Sequence, residues 1–405
     1  MNRPAGAVAG SDPADAVFAW FRTMRQTQPV YRDGNGFWHV FRHADVLRIL
    51  SDPITFSSDT TGFTPAQPDV DLFARGNIVV MDPPRHRTLR ALVSQAFTAR
   101  VVAALAPRIT QLATTQLEEA DSAGSFDLVE ALAYPLPVTV IAELLGVPAA
   151  DQPRFRRWAE ALFNQPSVDA TTAPTQELID AIAPVIHELN EYLLEHIRRR
   201  RANPTGDVIS QLICAQVEGE RLSEEQIVGF AGVLLLAGHV TTTALLGNVV
   251  LALDRYPAQA AALRADRDLI PNAVEEALRY RSPFPRVARV TTSGTELGGY
   301  AVPAGRLVIP WIAAANRDPA RFPDPDQFDV HRATTGHVAF GHGIHFCLGA
   351  PLARLEARIV VGMLLERYPD LAVDHDAAVE YHNPWEMISV RRLPVRVTSR
   401  RITRP

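Results

Sequence analysis

From Ser223 to Pro257 the chain runs without a proline, and its stretch Ile227 to Gly238 carries no charged or hydrogen-bonding side chain. Ser223-Glu224-Glu225-Gln226 has the form of a capping box, a hydroxyl at the cap and a Gln three residues on. One helix of about 50 Å follows at 1.5 Å per residue. A helix apolar all round must be wrapped by other protein or by lipid. The uncharged run is too short for a bilayer, which needs about 20 residues, and His239 and three threonines follow it, so a buried core helix is expected. Within it lies Ala237-Gly238-His239-Val240-Thr241-Thr242. Small residues followed by hydroxyls permit a local break of the ladder, with threonine oxygens bonding the freed carbonyls. A pocket for a small diatomic ligand beside the helix is one reading; close helix packing at the small residues is the other.

A chain that surrounds such a helix must be large, and at 405 residues with 47% hydrophobic content this one can bury a substantial core. Its net charge is −5, from 40 basic and 45 acidic residues, so no bulk attraction to nucleic acid or to an anionic membrane is expected. All 40 basic residues are arginine. The absence of lysine excludes P-loop NTPases, kinases of the usual pattern and Schiff-base or pyridoxal-phosphate enzymes, each of which needs an amine at the reacting centre. Two cysteines, Cys214 and Cys347, exclude a disulfide scaffold and a four-cysteine zinc or iron–sulfur site. Met1 to Trp20 has neither a basic start nor a continuous apolar run, which leads us to expect a cytoplasmic protein.

Apolar residues recur every three or four positions from Pro84 to about residue 270, as in Leu178, Ile182, Val185, Ile186 and Leu189, where Pro184 predicts a kink or a helix start. Early helices are expected over Ala14–Arg25 and His43–Ile49, with a strand at Phe37–Phe41. Arg289 to Pro310 alternates Val and Thr around Gly298-Gly299, which predicts a small antiparallel sheet. A last long helix is expected from Ala350 to Tyr368, then a basic end (Arg391, Arg392, Arg396, Arg400, Arg401, Arg404). The fold class is mainly α with a minor β region. No repeat, low-complexity tract or polar linker divides residues 1–405, so one domain is expected. Cys214, in Asp207–Val217 beside Val208, Leu212 and Ile213, reads as a small buried hydrophobe.

Phe340-Gly341-His342-Gly343-Ile344-His345-Phe346-Cys347-Leu348-Gly349 joins three glycines, aromatics and a lone cysteine just before that last helix. A thiolate at a helix N-terminus is stabilised by unpaired N–H groups and the helix dipole. The glycines let backbone approach a flat ligand. An anionic sulfur suited to binding iron from one side is the inference. A zinc site from His337, His342, His345 and Cys347 and a nucleophilic cysteine with His345 as base are the competing readings. Glycines around Phe340 suit a planar ligand better than a tetrahedral ion.

Taken in order, four segments resemble the cytochrome P-450 superfamily, in particular its soluble bacterial members. The segment ending at Cys347 matches the haem-binding signature. Glu276-Ala277-Leu278-Arg279 matches the family's Glu-x-x-Arg, Phe322-Pro323-Asp324-Pro325 through Arg332 looks like the following meander, and Met81 to Arg90 looks like the helix at the haem edge. The resemblance spans nearly the whole chain and implies the cytochrome P-450 fold, a single compact triangular prism, holding a b-type haem (heme b) with Cys347 as axial ligand. It implies haem contacts from His86, Arg90, Arg289, His345, Ala237, Gly238, Phe340 and Gly341, with Arg286 as a rival to Arg289. Haem propionates demand cations or imidazoles, and His86 and Arg90, four apart, share a helix face. Glu276, Arg279 and Arg332 would form an ion network under the haem loop.

The implied chemistry is activation of O2 with electrons derived from NAD(P)H, which a thiolate ligand promotes. Thr241 and Thr242 are the expected catalytic residues. Family members place an acid before the first threonine to relay protons, and here Val240 stands in that place. Delivery would pass instead through Thr241, ordered water, His239 or the substrate, or the reaction would be oxidative coupling or ring closure rather than hydroxylation or epoxidation. The substrate wall is expected from loops Thr60–Asn77 and Asn164–Pro174, from Val233, Leu236, Ala237 and Val240, from Phe284 and Pro285, and from Trp385 in the turn Asn383–Met387. Those types favour a bulky, largely apolar natural product. Without flavin, nicotinamide or cluster domains, the chain implies a separate iron–sulfur ferredoxin and ferredoxin reductase as partners, docking on Arg85, Arg87, Arg354 and Arg358. A haem protein that binds a gas without turnover is the alternative of a different class.

Overall fold

The computed structural model describes residues 12–120, 124–163, 175–217 and 220–398. The expected loop Asn164–Pro174 and the arginines at 400, 401 and 404 lie outside them. Helices α1 (Pro13–Thr27), α2 (His43–Ser51), α3 (Pro68–Ala74) and α4 (Arg85–Val93) come first, then α5 (Ala99–Ala104), α6 (Ala106–Ala120), α7 (Pro135–Leu145) and α8 (Gln152–Phe163). The middle of the chain forms α9 (Gln176–Ala202), α10 (Val208–Cys214), α11 (Glu224–Arg255), α12 (Pro257–Ala265) and α13 (Ile270–Tyr280). A one-turn α14 (Ile312–Ala315) precedes the final α15 (Ala350–Arg367).

Helix α11 is the axle. Ser223 accepts from Gln226 N while the Gln226 side chain accepts from Ser223 N, so the capping box forms in both directions. The helix continues for 32 residues without interruption, and the break that its small residues and hydroxyls permit is not taken: Thr241 Oγ1 donates to Ala237 O (3.0 Å) alongside an intact ladder. Its full length would cross a bilayer, so shortness does not exclude a membrane span, but 72% of its most apolar window is buried against protein. The cover comes from α7, α9, α3 and α15. Helix α3, inside the expected loop Thr60–Asn77, lies directly on the start of α11. A Cβ on Gly229 would stand 2.2 Å from Phe73 O, and one on Gly76 would stand 2.1 Å from Gln226 O, so this backbone-to-backbone approach requires glycine at both positions. Pro184 falls inside α9, which Thr175 caps by accepting from Leu178 N, so the helix begins eight residues before the proline instead of at it. Cys214 is exposed, correcting its expected burial: the last turn of α10 turns it away from the face of Val208, Ile209 and Leu212.

The main sheet is mixed rather than purely antiparallel. Its order is Val30–Arg32, Trp38–Val40, Leu307–Pro310, Arg289–Thr291, Phe56–Ser57, with Trp38–Val40 parallel to Leu307–Pro310. A strand from the chain's start enters beside one from its last third, a pairing no local pattern announces. Gly298 and Gly299 (φ 55° and 85°) turn a separate hairpin, Thr295–Leu297 with Tyr300–Val302. The turn Asn383–Met387 is the loop of another, Glu380–Tyr381 with Val390–Arg392.

Glu276 and Arg279 are wholly buried and joined by two bonds (2.7 and 2.8 Å), while Arg332 adds a third contact to Glu276 (3.1 Å). Arg279 also donates to the carbonyls of Asn316, Pro325 and Gln327, which fixes the coil leading to Cys347. Helix α15 buries Glu356 with one carboxyl oxygen unpartnered, and burial pushes that acid up from 4.5 to about 8. Between those two values the unfolded chain releases this proton while the folded chain keeps it, so stability falls as pH rises. In Glu356→Gln that component is gone. The melting-temperature difference, variant minus parent, should therefore become more positive by a few degrees from pH 5 to pH 8; a difference independent of pH would contradict the assignment.

Candidate functional site

The segment before α15 folds as two tight turns. Gly341 N donates to Val338 O, Phe346 N to Gly343 O, and Cys347 N to Phe340 O (2.8 Å), which closes the loop on itself. Gly341 and Gly343 take φ of 72° and 68°, and a Cβ on Gly343 would stand 2.7 Å from Leu50 O. The Cys347 sulfur thus sits where α15 begins, accepting from the backbone N–H groups of Gly349 and Ala350. Burial pushes its thiol up, and those donors together with the charges of Arg90 and Arg354 pull it down. Its surface is nonetheless accessible, as befits a group lining an interior chamber.

On α11, Ala237 is the one exposed residue between Glu224 and Asp254, flanked by the half-buried Val233, Gly238, Val240 and Thr241. An accessible window in the middle of a core helix marks the other wall of a chamber. Leu236 is buried, and Val240 and Leu348 pack on the same apolar cluster as Met81 and Leu89. Gly238 serves packing: a Cβ there would meet Ile141 of α7 at 2.7 Å, so its expected ligand contact is not needed to explain it. Thr242 is buried, its Oγ1 3.5 Å from Gly238 O.

Four cationic or imidazole groups converge beside the cysteine loop. Arg90 donates to Phe346 O (2.6 Å), and the rings of His86 and His345 lie 4.3 Å apart. Among the described residues the buried Arg289 guanidinium donates only to the neighbouring Ala288 O (2.7 Å). His345 Nε2 meets Ser58 Oγ (2.8 Å), while His86 Nε2 is buried with no partner among those residues. Burial, then the charges of Arg289, His86 and Arg90, force His345 down to about 3; burial and Arg90 lower His86. Arg289 is lowered to about 10 by burial. Among the described residues none of the four forms an ion pair within 4 Å. Two guanidiniums without a carboxylate partner among the described residues, beside two imidazoles, one of them orphaned, fit a planar ring carrying two carboxylates, and the adjoining sulfur fits its iron. Phe340, stacked under the Arg354 guanidinium at 4.6 Å, stiffens the same loop.

The competing readings of the cysteine find no geometry. Among the described residues no three His, Cys, Asp or Glu side chains converge as a metal site. His337 is held by Glu275 (3.0 Å) and His345 by Ser58, so neither is turned to Cys347 as ligand or base. Arg286 does not rival Arg289, because it is tied to Glu386 (2.8 and 3.0 Å).

That pair joins two parts of the expected substrate wall. Ile388 N donates to Pro283 O and Glu386 N to Asn383 O, so the turn carrying Trp385 is fixed to the Phe284-Pro285 segment. Pro285 is buried, leaving Phe284, 6.0 Å from Phe163, and Trp385 as the accessible members. Two supports escaped sequence reasoning. Asp82 binds Ser57 Oγ and Ser58 N (2.9 Å), and Ser58 in turn orients His345. Asp82 stood inside a motif already singled out, but its partners lie some 25 residues upstream in an unremarkable strand.

The Cytochrome P450 family model matches residues 56–398. Erythromycin C-12 hydroxylase of Saccharopolyspora erythraea is 46% identical over 394 residues, 96% of each chain. Cyclomarin C epoxidase CymV of Salinispora arenicola is 45% identical, covering 92% of this chain and 93% of that one. A solved structure of a mutant of P450 EryK in complex with erythromycin B superposes with a TM-score of 0.90 at 45% identity, covering 98% of this chain and all of that one. If the cationic cluster holds propionates, Arg289→Leu should lose haem to an excess of apomyoglobin about tenfold faster or more, with the sulfur-ligated spectrum of the retained fraction unchanged; an unaltered loss rate would remove Arg289 from the site.

Proposed function

Because this chain belongs to the cytochrome P450 family and is an oxygen-incorporating oxidoreductase, we propose that it hydroxylates or epoxidises a bulky, largely apolar secondary metabolite. The observation that carries the reading is the pairing of Cys347, at the head of α15, with the accessible window Val233–Thr241 on α11. A b-type haem bound through Cys347 supplies activation of dioxygen by way of an electron-donating thiolate. His86, Arg90, Arg289 and His345 hold its carboxylates. Ala237, without a side chain beyond Cβ, leaves room beside α11 for a small ligand, and Thr241 carries the nearest hydroxyl on that window. With its proton lent to Ala237 O (3.0 Å), that hydroxyl offers a lone pair toward the chamber, and Thr242 lies behind it. Val233, Val240, Phe284 and Trp385 exclude water and contact the substrate.

The relatives are a hydroxylase and an epoxidase, which favours oxygen insertion. Coupling or ring closure, suggested by Val240, has no counterpart in them. Val240→Glu should raise the fraction of electrons appearing in product if position 240 limits proton supply. Unchanged coupling together with unchanged product would show that the missing acid has no consequence.

Electrons must come from outside. We assign them to an iron–sulfur ferredoxin served by a ferredoxin reductase from NAD(P)H, in the cytoplasm. Arg85, Arg87 and Arg358 are exposed around the cysteine loop, together with Phe346. Arg354 does not join them, because Glu275 holds it at 2.6 and 2.7 Å. Charge reversal at Arg85 and Arg87 should slow reduction several-fold at low salt and flatten its salt dependence; an unaltered rate and slope would leave the patch as solvated arginine.

A further inference from the structure

Behind α11 lies a cavity of about 270 Å³, bounded by α8, by Val129–Ala133, and by the strands around His382 and Arg391. His239, Val240 and Thr243 form its α11 wall, and Glu130, Arg156 and Glu160 stand among its lining residues. At 100° per residue, Val240 lies on the helix between the chamber-facing Ala237 and Thr241 and the cavity-facing His239 and Thr243. Two polar atoms on that wall have no partner among the described residues. His239 is fully buried, and its Nδ1 must donate to Leu235 O (2.7 Å) because a carbonyl only accepts, which leaves the Nε2 lone pair unmatched. Thr243 is 8% exposed, and its hydroxyl is equally unpartnered. Each costs about 1–3 kcal/mol if left so. The edge of Tyr134 stands against the His239 ring at 5.7 Å, with Arg156 on its face at 4.6 Å. Arg156 pairs in turn with Glu130 (2.8 Å) and Glu160 (3.6 Å).

We propose that this cavity is a water-filled antechamber that relays protons from solvent, past Val240, to the oxygen-binding side of α11, taking over the task of an acid at position 240. His239 Nε2 accepts from one water and Thr243 Oγ1 bonds another. Along the file each water takes one proton from the solvent side and passes one on, so one proton enters from solvent for each delivered at Thr241. His239 is a positioning residue: burial lowers it to about 4, so it anchors water as a neutral acceptor and does not itself carry the charge. The space holds several waters, and two unmatched polar atoms with charged neighbours are the setting in which buried water is retained. Hydrogen peroxide takes the same two electrons and two protons as oxygen insertion, so a relay that delivers its proton late or at the wrong place shifts the electrons from product to peroxide.

This inference rests on the oxygenase reading above, and the test separates the two. Thr243→Val removes a water anchor, and Ala159→Leu narrows the cavity from α8 without changing a residue of α11. The purified holoproteins are compared with the parent for melting temperature, for the share of electrons released as peroxide, and for the solvent deuterium effect on turnover. A hydrated relay predicts that both variants raise the peroxide share several-fold and alter the deuterium effect, and that Thr243→Val leaves stability equal or lower. A higher melting temperature for Thr243→Val would show a dry cavity with an unsatisfied hydroxyl, and unchanged peroxide and deuterium effects in both variants would show a wet or dry cavity off the proton path; either overturns the proposal. In both cases sulfur-ligated haem in every variant leaves the oxygenase reading standing, whereas a parent that makes no oxygenated product sinks that reading first.

Discussion

Glu276 and Arg279 sit with their side chains entirely withdrawn from water, and the conformation of the cysteine loop depends on them. Burying two charges is expensive, and the cost is offset only because nearly every donor and acceptor of the pair is used. Arg279 spends its spare N–H groups on carbonyls from three points of the coil between α14 and the cysteine loop, and Glu276 takes Asp329 N (3.0 Å) and Arg332 as well. One buried ion cluster thus nails down a stretch with no regular secondary structure. Asn316, which receives Arg279, passes the constraint on by accepting from Val338 N (2.7 Å), three residues from Gly341. Removing the Arg279 guanidinium would leave the buried Glu276 carboxylate with Arg332 and Asp329 N alone, at a cost of up to about 3–5 kcal/mol.

The same logic extends to the second rigid element. α11 is packed chiefly by α7, α9, α3 and α15 and keeps an accessible window at Val233–Thr241, so the site combines a clamped helix with a clamped loop. Neither can drift, which is what a site needs if it is to hold a large planar group and a substrate at fixed separation. The substrate wall is tied less heavily, through Arg286–Glu386 and a few backbone bonds, and α3 rests on glycines at Gly76 and Gly229. Residues there can change without disturbing the cysteine loop.

Much of this was legible in the residues. The capping box, the proline-free run, the glycines around Cys347 and the Glu-x-x-Arg spacing each act locally or within one turn of helix, and each appears where expected. What failed depended on long-range placement. The parallel pairing of Trp38–Val40 with Leu307–Pro310 joins strands some 270 residues apart. Arg354 looked like a surface cation until Glu275 was found against it, and Cys214 looked buried because its neighbours are apolar although its own position on α10 faces out. Threonines in α11 suggested a broken ladder, yet a hydroxyl can bond the i−4 carbonyl without displacing the backbone N–H.

All of these parts bear on one proposed bond, that between the Cys347 sulfur and the iron of a haem. The reduced carbon monoxide spectrum of the purified protein tests it most directly. Thiolate ligation predicts the strongly red-shifted Soret band from which the family takes its number. A band at the position given by histidine-ligated haem in freshly prepared, active protein would contradict the account.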